Sequence, residues 1–383
     1  NWGVVRIDNE KISKPILDNS SNVLISSNVY PNRVYAPQDR GLSVIQKQNN
    51  KLTLVDYEQI AAEEILQMVE ESDGSLWLAG FFPGIIHVTK NLKELPQKLE
   101  ADIDYKYYKS SDGLPGSSWQ IFNIQNIMIL ATDKGVFRFD KKSKSFVADS
   151  TLGTIFMDST AAISNIETNY NGDLWILAKV NDVDVFGIAK HQSNRKYNWK
   201  PDPVFNRLNL STIHAIYSDY YQGKEVLWLS TEEALIRYDP AIKKQINNKY
   251  QTLIRKVVLD NDSIIFSGFR IPEIDVKKVI LPLAKKNIRF VVSSINFDKP
   301  DETLYEYFLE GNDETWSPWT VESKKEYTNL SAGKYVFHVR AKNIYGIISD
   351  EDTFAFSVLP PWYLTWWAFA FYVLLLGSGI FII

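Results

Sequence analysis

Asn171-Gly172-Asp173-Leu174-Trp175-Ile176, followed by Phe186-Gly187-Ile188-Ala189-Lys190-His191, is the stretch whose reading decides the fold. Asn-Gly supplies the positive φ of a tight hairpin turn. The apolar and polar residues after it alternate with the period of two that marks a strand. Residues 163–199 thus read as four strands: Ile163-Ser164-Asn165-Ile166, the Trp175 strand, Phe186 to His191, and a last strand reaching Trp199. The turn-plus-Trp signature recurs as Asp73-Gly74-Ser75-Leu76-Trp77-Leu78 and as Lys224-Glu225-Val226-Leu227-Trp228-Leu229. The Gly strand recurs from Gly3, Gly41, Gly84 and Gly135, and a sixth copy, Ala234-Leu235-Ile236-Arg237-Tyr238-Asp239, has Ala in place of Gly. The steps between copies are 38, 43, 51, 52 and 47 residues, a mean of roughly 46, which is the period of propeller blades. Four antiparallel strands per repeat make one blade. A β-sandwich or an unrelated string of hairpins would show turn signals every 8–12 residues without this longer period.

Composition agrees with a strand-rich protein. Aromatic residues are 13% of the 383, with 11 Trp and 20 Tyr, and rings suit pleated, half-buried surfaces. Lys plus Arg number 42 against 46 Asp plus Glu, a net charge of −4. That balance argues against a protein that coats nucleic acid or a polybasic membrane binder. Cysteine is absent, which excludes disulfides, thiolate catalysis and Cys-ligated metal sites. The chain begins at Asn1 and is expected to be an excised piece of a longer protein, with further blades upstream, since such rings hold four to eight.

Beyond Gln251 the period fails. Residues 251–278 read as a worn last blade and linker, with Val257 to Phe269 as its strands. Residues 279–358 read as a compact all-β module with strands Asn287–Ile295, Leu304–Leu309, Lys325–Tyr327, Lys334–Ala341 and Thr353–Val358. Their number and length fit an immunoglobulin-like sandwich. From Leu359 to Ile383 no residue is charged. Residues 360–383 read as a transmembrane helix, Leu364 to Ile383 providing the 20 apolar residues that cross a hydrocarbon core. Trp362, Tyr363, Trp366 and Trp367 are its expected membrane-interface residues, because Trp and Tyr favour the headgroup layer. The domain reading is therefore blades over 1–250, then 251–278, 279–358 and 360–383.

Tyr305-Glu306-Tyr307-Phe308-Leu309-Glu310-Gly311, Trp316, Tyr327-Thr328-Asn329-Leu330, Gly333-Lys334-Tyr335 and Val339-Arg340-Ala341-Lys342-Asn343 resemble the triple-tyrosine, or Y_Y_Y, domain. Pro360-Pro361-Trp362-Tyr363 resembles the junction after that domain, and the upstream blades resemble regulator-propeller repeats. Together they are similar to the periplasmic sensor region of bacterial two-component receptors, including hybrid histidine kinases. The chain departs from the fullest pattern in lacking a second seven-bladed propeller. The resemblance implies residues 1–358 in the periplasm, an inner-membrane anchor, a homodimer, an extracellular ligand such as an oligosaccharide, and a cytoplasmic kinase or transcription-regulator output. A surface adhesion protein with a sandwich stalk, or a membrane-tethered glycan enzyme, are the rival readings.

Chemistry is sparse. His87, His191, His214 and His338 lack metal-ligand spacing and read as ordinary strand residues. Asp73 and Asp173 belong to turns, Asp140 and Asp239 end strands, and Glu63-Glu64 and Glu70-Glu71 read as solvated faces. No nucleophile elbow or phosphate loop appears, so the segment is read as non-enzymatic, without catalytic residues, metal or cofactor. Trp119, Trp199, Tyr220 and Tyr221 are candidates for stacking on a sugar. Trp119 is preferred because it breaks the repeat, whereas Trp77, Trp175 and Trp228 occupy equivalent packing positions.

Overall fold

The computed structural model describes residues 4–5, 7–8, 11–17, 21, 23–38, 41–48, 51–60, 64–81, 83–89, 104–243, 246, 248–260, 263–268, 279–281, 287–364 and 366–382. The chain divides into two compact units, Asn1–Ile242 and Lys243–Ile383.

The first unit is a succession of antiparallel sheets whose strand order follows the chain. Strands β1 (Ile7–Asp8) and β2 (Lys11–Ile12) form a two-stranded sheet. β3 (Ile25–Ser26), β4 (Arg33–Gln38), β5 (Gly41–Gln48) and β6 (Lys51–Gln59) form the second sheet. The third comprises β7 (Ile65–Glu70), β8 (Leu76–Gly80), β9 (Ile85–Val88) and β10 (Tyr105–Tyr108). The fourth has β11 (Trp119–Ile124), β12 (Ile127–Thr132), β13 (Gly135–Asp140) and β14 (Ser145–Ala148). β15 (Ala161–Thr168), β16 (Leu174–Val180), β17 (Val183–His191) and β18 (Tyr197–Pro201) make the fifth. The sixth, β19 (Ala215–Tyr221), β20 (Lys224–Ser230) and β21 (Leu235–Tyr238), has three strands among the described residues. The four-stranded sheets have the meander form of propeller blades, and the Trp strand is second in the third, fifth and sixth sheets, as the repeat predicts.

The second strands β8 and β16 are buried on both faces, and alternate residues serve different neighbours. Leu76 and Leu78 join a cluster with Tyr35, Leu42 and Val44 of the preceding sheet. Trp77 and Ala79, on the other face, join Ile121, Met128 and Leu130 of the following sheet. The same division repeats in β16, where Leu174, Ile176 and Ala178 pack with the fourth sheet and Trp175 and Leu177 with the sixth. Trp77 and Trp175 are 0% and 2% exposed. Trp228, at the equivalent position of the last sheet, is only half-buried, and its neighbours Tyr217 and Leu235 are exposed.

The glycine of the third strand has a steric cause. A Cβ on Gly84 would lie 2.2 Å from the Tyr108 carbonyl oxygen, and one on Gly187 would lie 2.2 Å from that of Lys200. Both oxygens belong to the fourth strand of the same sheet. Ala234 replaces this glycine in the sixth sheet, for which no fourth strand occurs among the described residues.

Polar side chains latch one sheet to the next. Lys141, just past β13, places Nζ 2.6 Å from Glu71 and 2.5 Å from Asp73 in the turn after β7. Burial alone would raise the Asp73 carboxyl, but hydrogen bonds from Lys141 and Ser75 outweigh it and hold it down at about 2. Glu70 accepts from Ser27 Oγ at 2.6 Å and from Asn28 N–H at 2.7 Å. Glu225 accepts from Asn169 Nδ2 at 3.1 Å and from the Trp175 indole N–H at 2.9 Å. Glu70 and Glu71 are 3% and 6% exposed, which corrects their reading as a solvated face. Beneath this latch His87 stacks on Trp77, with centroids 3.8 Å apart and planes within 2°.

The second unit holds a sandwich of two four-stranded sheets. One has the order β23 (Ser263–Phe266), β22 (Thr252–Leu259), β25 (Ile288–Ser294), β27 (Lys324–Tyr327). The other runs β24 (Val279–Leu281), β29 (Asp352–Val358), β28 (Gly333–Lys342), β26 (Leu304–Glu310). For the described part of residues 251–278 the worn-blade reading is therefore corrected: β22 pairs with β25 from Thr252↔Ser294 to Leu259↔Ile288 and belongs to the sandwich, while 261–262 and 269–278 lie outside the described residues. Phe290 of one sheet stacks on Phe337 of the other at 3.7 Å. The tyrosines fix the loops around this core. Tyr307 donates to the Glu322 carbonyl, and Tyr327 to Asp313 Oδ2 at 2.9 Å. Asp313 also accepts the Leu309 N–H at 2.9 Å. Burial, first, and neighbouring negative charge raise both phenols.

After β29 comes a 3₁₀ turn, Trp362–Leu364, and then helix α1, Trp366–Ile382. Of the expected span from Leu364 to Ile383, the turn takes up Leu364 and the helix is described from Trp366 to Ile382, 17 residues or about 25 Å at 1.5 Å per residue. Among the described residues no helix is long and apolar enough to cross a membrane.

Two predictions follow from the sheet contacts. Gly187→Ala is expected to cost about 1–3 kcal/mol through forced backbone movement, whereas Ala234→Gly loses less than about 1 kcal/mol; paired urea melts compare them. Burial, with a smaller contribution from the charge of Lys141, pushes the His87 imidazole down from 6.5 to about 4. The unfolded chain therefore binds more protons in that window, and stability falls as pH drops from 6.5 to about 4. His87→Phe keeps the stack and should flatten the loss of melting temperature between pH 7 and 4.5. A profile parallel to that of the unaltered protein would show that His87 does not set it.

Candidate functional site

The groups able to do acid, base or metal chemistry are dispersed or engaged. His87 lies in the core between the third and fourth sheets. His191, on β17, packs edge-on against Tyr197 at 5.3 Å. His214 precedes β19 and faces Glu232 at 3.9 Å. His338, on β28, lies 2.5 Å from Glu351 and 3.6 Å from Glu310. Asp173 is spent on Lys190 Nζ at 2.7 Å and the His191 N–H at 2.8 Å. Asp140 caps its own turn through Ser143. No group of three or more His, Asp or Glu that could hold a metal ion occurs among the described residues.

The aromatic candidates fall into three places. Trp119 opens β11; its indole N–H donates to the Pro115 carbonyl at 2.8 Å, and the half-buried ring packs on the cluster shared by the third and fourth sheets. Tyr220 stacks on Tyr170 at 4.6 Å with planes 17° apart. Tyr170 is 75% exposed, and Tyr217, Tyr220 and Tyr221 are also exposed. The turn after β15, which carries Tyr170, and the end of β19, which carries Tyr220, bring these two rings together. Tyr170 was not singled out from sequence, although it stands immediately before the Asn171-Gly172 turn, where a side chain projects from the sheet end. Trp199 lies on β18, tilted against Phe156 at 5.1 Å. These rings form separate surfaces rather than one constellation.

The four C-terminal aromatics do gather. Trp362 stacks near Trp367 at 6.2 Å and meets Tyr363 edge-on at 5.9 Å, while Trp366 is 82% exposed. They form an aromatic collar at the start of α1.

In the sandwich, the strand that follows the sheets in the chain is fastened to the strand that leads to α1. Tyr250 donates to the carbonyls of Ala341 and Ile347 at 3.0 and 2.8 Å. Thr252 and Ser349 hydroxyls are 2.7 Å apart, and Asp352 Oδ2 accepts the Ile254 N–H at 2.8 Å. Gln251 forms a parallel bridge with Asp350. Burial, above all, pushes the Tyr250 phenol up to about 12, so it keeps its proton and its donor role at any physiological pH.

Comparison with known proteins agrees with this arrangement. Residues 296–359 match the Y_Y_Y domain family. Histidine kinase P4 of Formosa agariphila is 24% identical over an alignment of 233 residues, with 47% of this chain and 17% of that protein covered. The extracellular domain of the putative hybrid two component system BT3049 from B. thetaiotaomicron superposes with a TM-score of 0.54 at 14% identity, covering 94% of this chain and 46% of that one. That of BT4673 from the same organism gives 0.38 at 13% identity over 94% and 46%, too low to argue from. The chain thus spans under half the length of these three relatives. Residues 296–359 are a Y_Y_Y domain, and the chain as a whole resembles the extracellular sensor regions of bacterial two-component receptors.

Proposed function

We propose that this chain is the ligand-sensing extracytoplasmic region of a membrane-bound two-component receptor, and that its ligand is a carbohydrate. The observation that carries the reading is the pairing, in one chain, of repeated blade sheets with a Y_Y_Y sandwich, the fold shared with an extracellular domain of a hybrid two component system. Exposed, flat aromatic surfaces such as Tyr170 on Tyr220 support the carbohydrate class, since ring faces pack against the apolar faces of sugars. The aromatic collar at Trp362, Tyr363, Trp366 and Trp367 seats at the periplasmic face of the cytoplasmic membrane. Residues 1–358 lie in the periplasm, a homodimer is the working form, and a kinase or transcription regulator beyond the membrane is the output.

The relay would run through the fastened strands. A ligand shifts a two-state equilibrium only by its differential affinity for the states. The segment 250–254, tied to 349–352, is the part of the sandwich through which a displacement reaches β29 and α1. Ligand at about a hundred times its Kd should stabilise the binding state by about 2.7 kcal/mol. The test is a thermal melt of the full chain against a glycan panel, with spin labels near Trp362 reporting the spacing between protomers. A raised Tm together with a changed spacing is expected. Tyr250→Phe should leave ligand affinity within about twofold while reducing the change in spacing. Unaltered Tm and spacing across the whole panel would sink the reading.

A further inference from the structure

The outer face of β28 carries a row of basic side chains. Its core side presents Tyr335, Phe337, Val339 and Ala341, and the alternate positions His338, Arg340 and Lys342 stand on the other face. Arg340 pairs with Glu306 of β26, and its Cζ lies 4.4 Å from the centroid of the Trp316 ring. Lys342 lies over Trp319, also at 4.4 Å. Arginine and lysine are cations at any physiological pH, whereas histidine changes charge between about pH 5 and 8.

His338 is bracketed by two carboxylates that belong to different neighbours. Its Nδ1 lies 2.5 Å from Glu351, just ahead of β29, and its Nε2 lies 3.6 Å from Glu310, the last residue of β26. Phe308 at 5.5 Å and Trp316 at 6.3 Å flank the ring. Thr353, its partner on β29, is uncharged. Glu306 and Arg340, the next charged groups along this face, are engaged with each other. An ionised carboxylate only accepts, so Nδ1 carries the hydrogen given to Glu351. In the neutral ring Nε2 is then a bare lone pair. Here it is buried without a hydrogen-bond partner, and it faces the Glu310 carboxylate from beyond hydrogen-bond distance. A proton on Nε2 turns that opposition into attraction and gives the buried nitrogen an acceptor.

Glu351 sits where such a change is felt. On either side of it, the Asp350 N–H donates to the Tyr250 carbonyl at 2.9 Å, and Asp352 accepts the Ile254 N–H at 2.8 Å. Glu351, between them, turns to His338. We propose that His338 is a proton-operated latch. One proton passes from water to Nε2 and no other covalent bond changes. The imidazolium then holds Glu310 and Glu351 together, joining β26 and β28 to the segment that fastens 250–254. Acid thus tightens the sandwich where it leads through β29 to α1. The latch stands on the distances and the buried nitrogen, whereas its use as a second signal rests on the receptor reading above.

The full chain, ¹⁵N-labelled and in zwitterionic micelles, is followed between pH 8 and 5.5, a window above the ordinary carboxylate range. The His338 ring signals are assigned by their loss in His338→Gln. They should show a neutral Nδ1–H ring at pH 8 and a doubly protonated ring at pH 5.5. Exchange of the Ile254 and Asp350 amides, corrected for the intrinsic chemical rate, should slow about threefold across the window. Glu310→Ala, at a side chain 64% exposed, should reduce that change to within about 1.5-fold. His338→Gln, which can still donate to Glu351, should abolish it. A purely structural His338 would instead alter exchange equally at both pH values. The proposal is overturned if the neutral ring carries its hydrogen on Nε2, if exchange in the unaltered chain ignores pH, or if the pH response survives in His338→Gln. If ligand changes the spacing between protomers while exchange ignores pH, the latch falls and the receptor reading stands. If exchange answers to pH while neither ligand nor pH moves the spacing, the latch stands and the receptor reading falls.

Discussion

The first unit depends on one constraint: a strand in the middle of a sheet has two faces, and here both must be buried by other sheets. β8 and β16 satisfy it by sending even-numbered residues to the preceding neighbour and odd-numbered residues to the next. Each apolar cluster is consequently shared between successive sheets rather than owned by one. Large rings suit this duty because Trp77 and Trp175 reach across the gap that separates stacked sheets, which is about 10 Å. The glycines of the third strands and the Glu and Lys latches are secondary adjustments to that arrangement. Gly84 and Gly187 let the fourth strand close in, and the latches hold the turns together in register.

The sandwich solves a different problem with similar residues. Its two sheets enclose a single core in which Phe290 and Phe337 stack across the middle. Rings with hydroxyls occupy the periphery, where Tyr307, Tyr327 and Tyr335 each end on an oxygen of a loop. A phenol buries a broad apolar body and still donates at its tip. That combination secures loops to a core that has no cysteine to cross-link it.

Much of this was legible in the sequence where the cause is local. Asn171-Gly172 and Asp73-Gly74 announce hairpins because few residues accept the turn's positive φ, and the strands on either side follow from a period of two. The sandwich strands from Ile288 onward lie within a residue or two of their predicted limits for the same reason. What escaped is set by distant partners. Residues 252–266 have an apolar run, a turn and a second apolar run, a pattern that serves a blade and a sandwich equally; pairing with Ile288–Ser294 decides between them. Glu70 and Glu71 look like a solvated face until Ser27, Asn28 and Lys141 are brought to them. Among the aromatic candidates, nothing near Trp119 in the sequence reveals that Pro115 takes its indole proton, and nothing near Trp199 reveals that its own goes unclaimed.

The sharing of cores between neighbours bears on how such a chain could grow by gene duplication. The recombining unit cannot be a sheet that is stable by itself, because half of its apolar side chains have their partners in the adjoining copy. An inserted copy is accommodated at once, since it offers the same two faces as those it separates. A deletion at the end of such a row would uncover an apolar face instead. Arrays of this kind can therefore lengthen more readily in the middle than they can be trimmed at their ends.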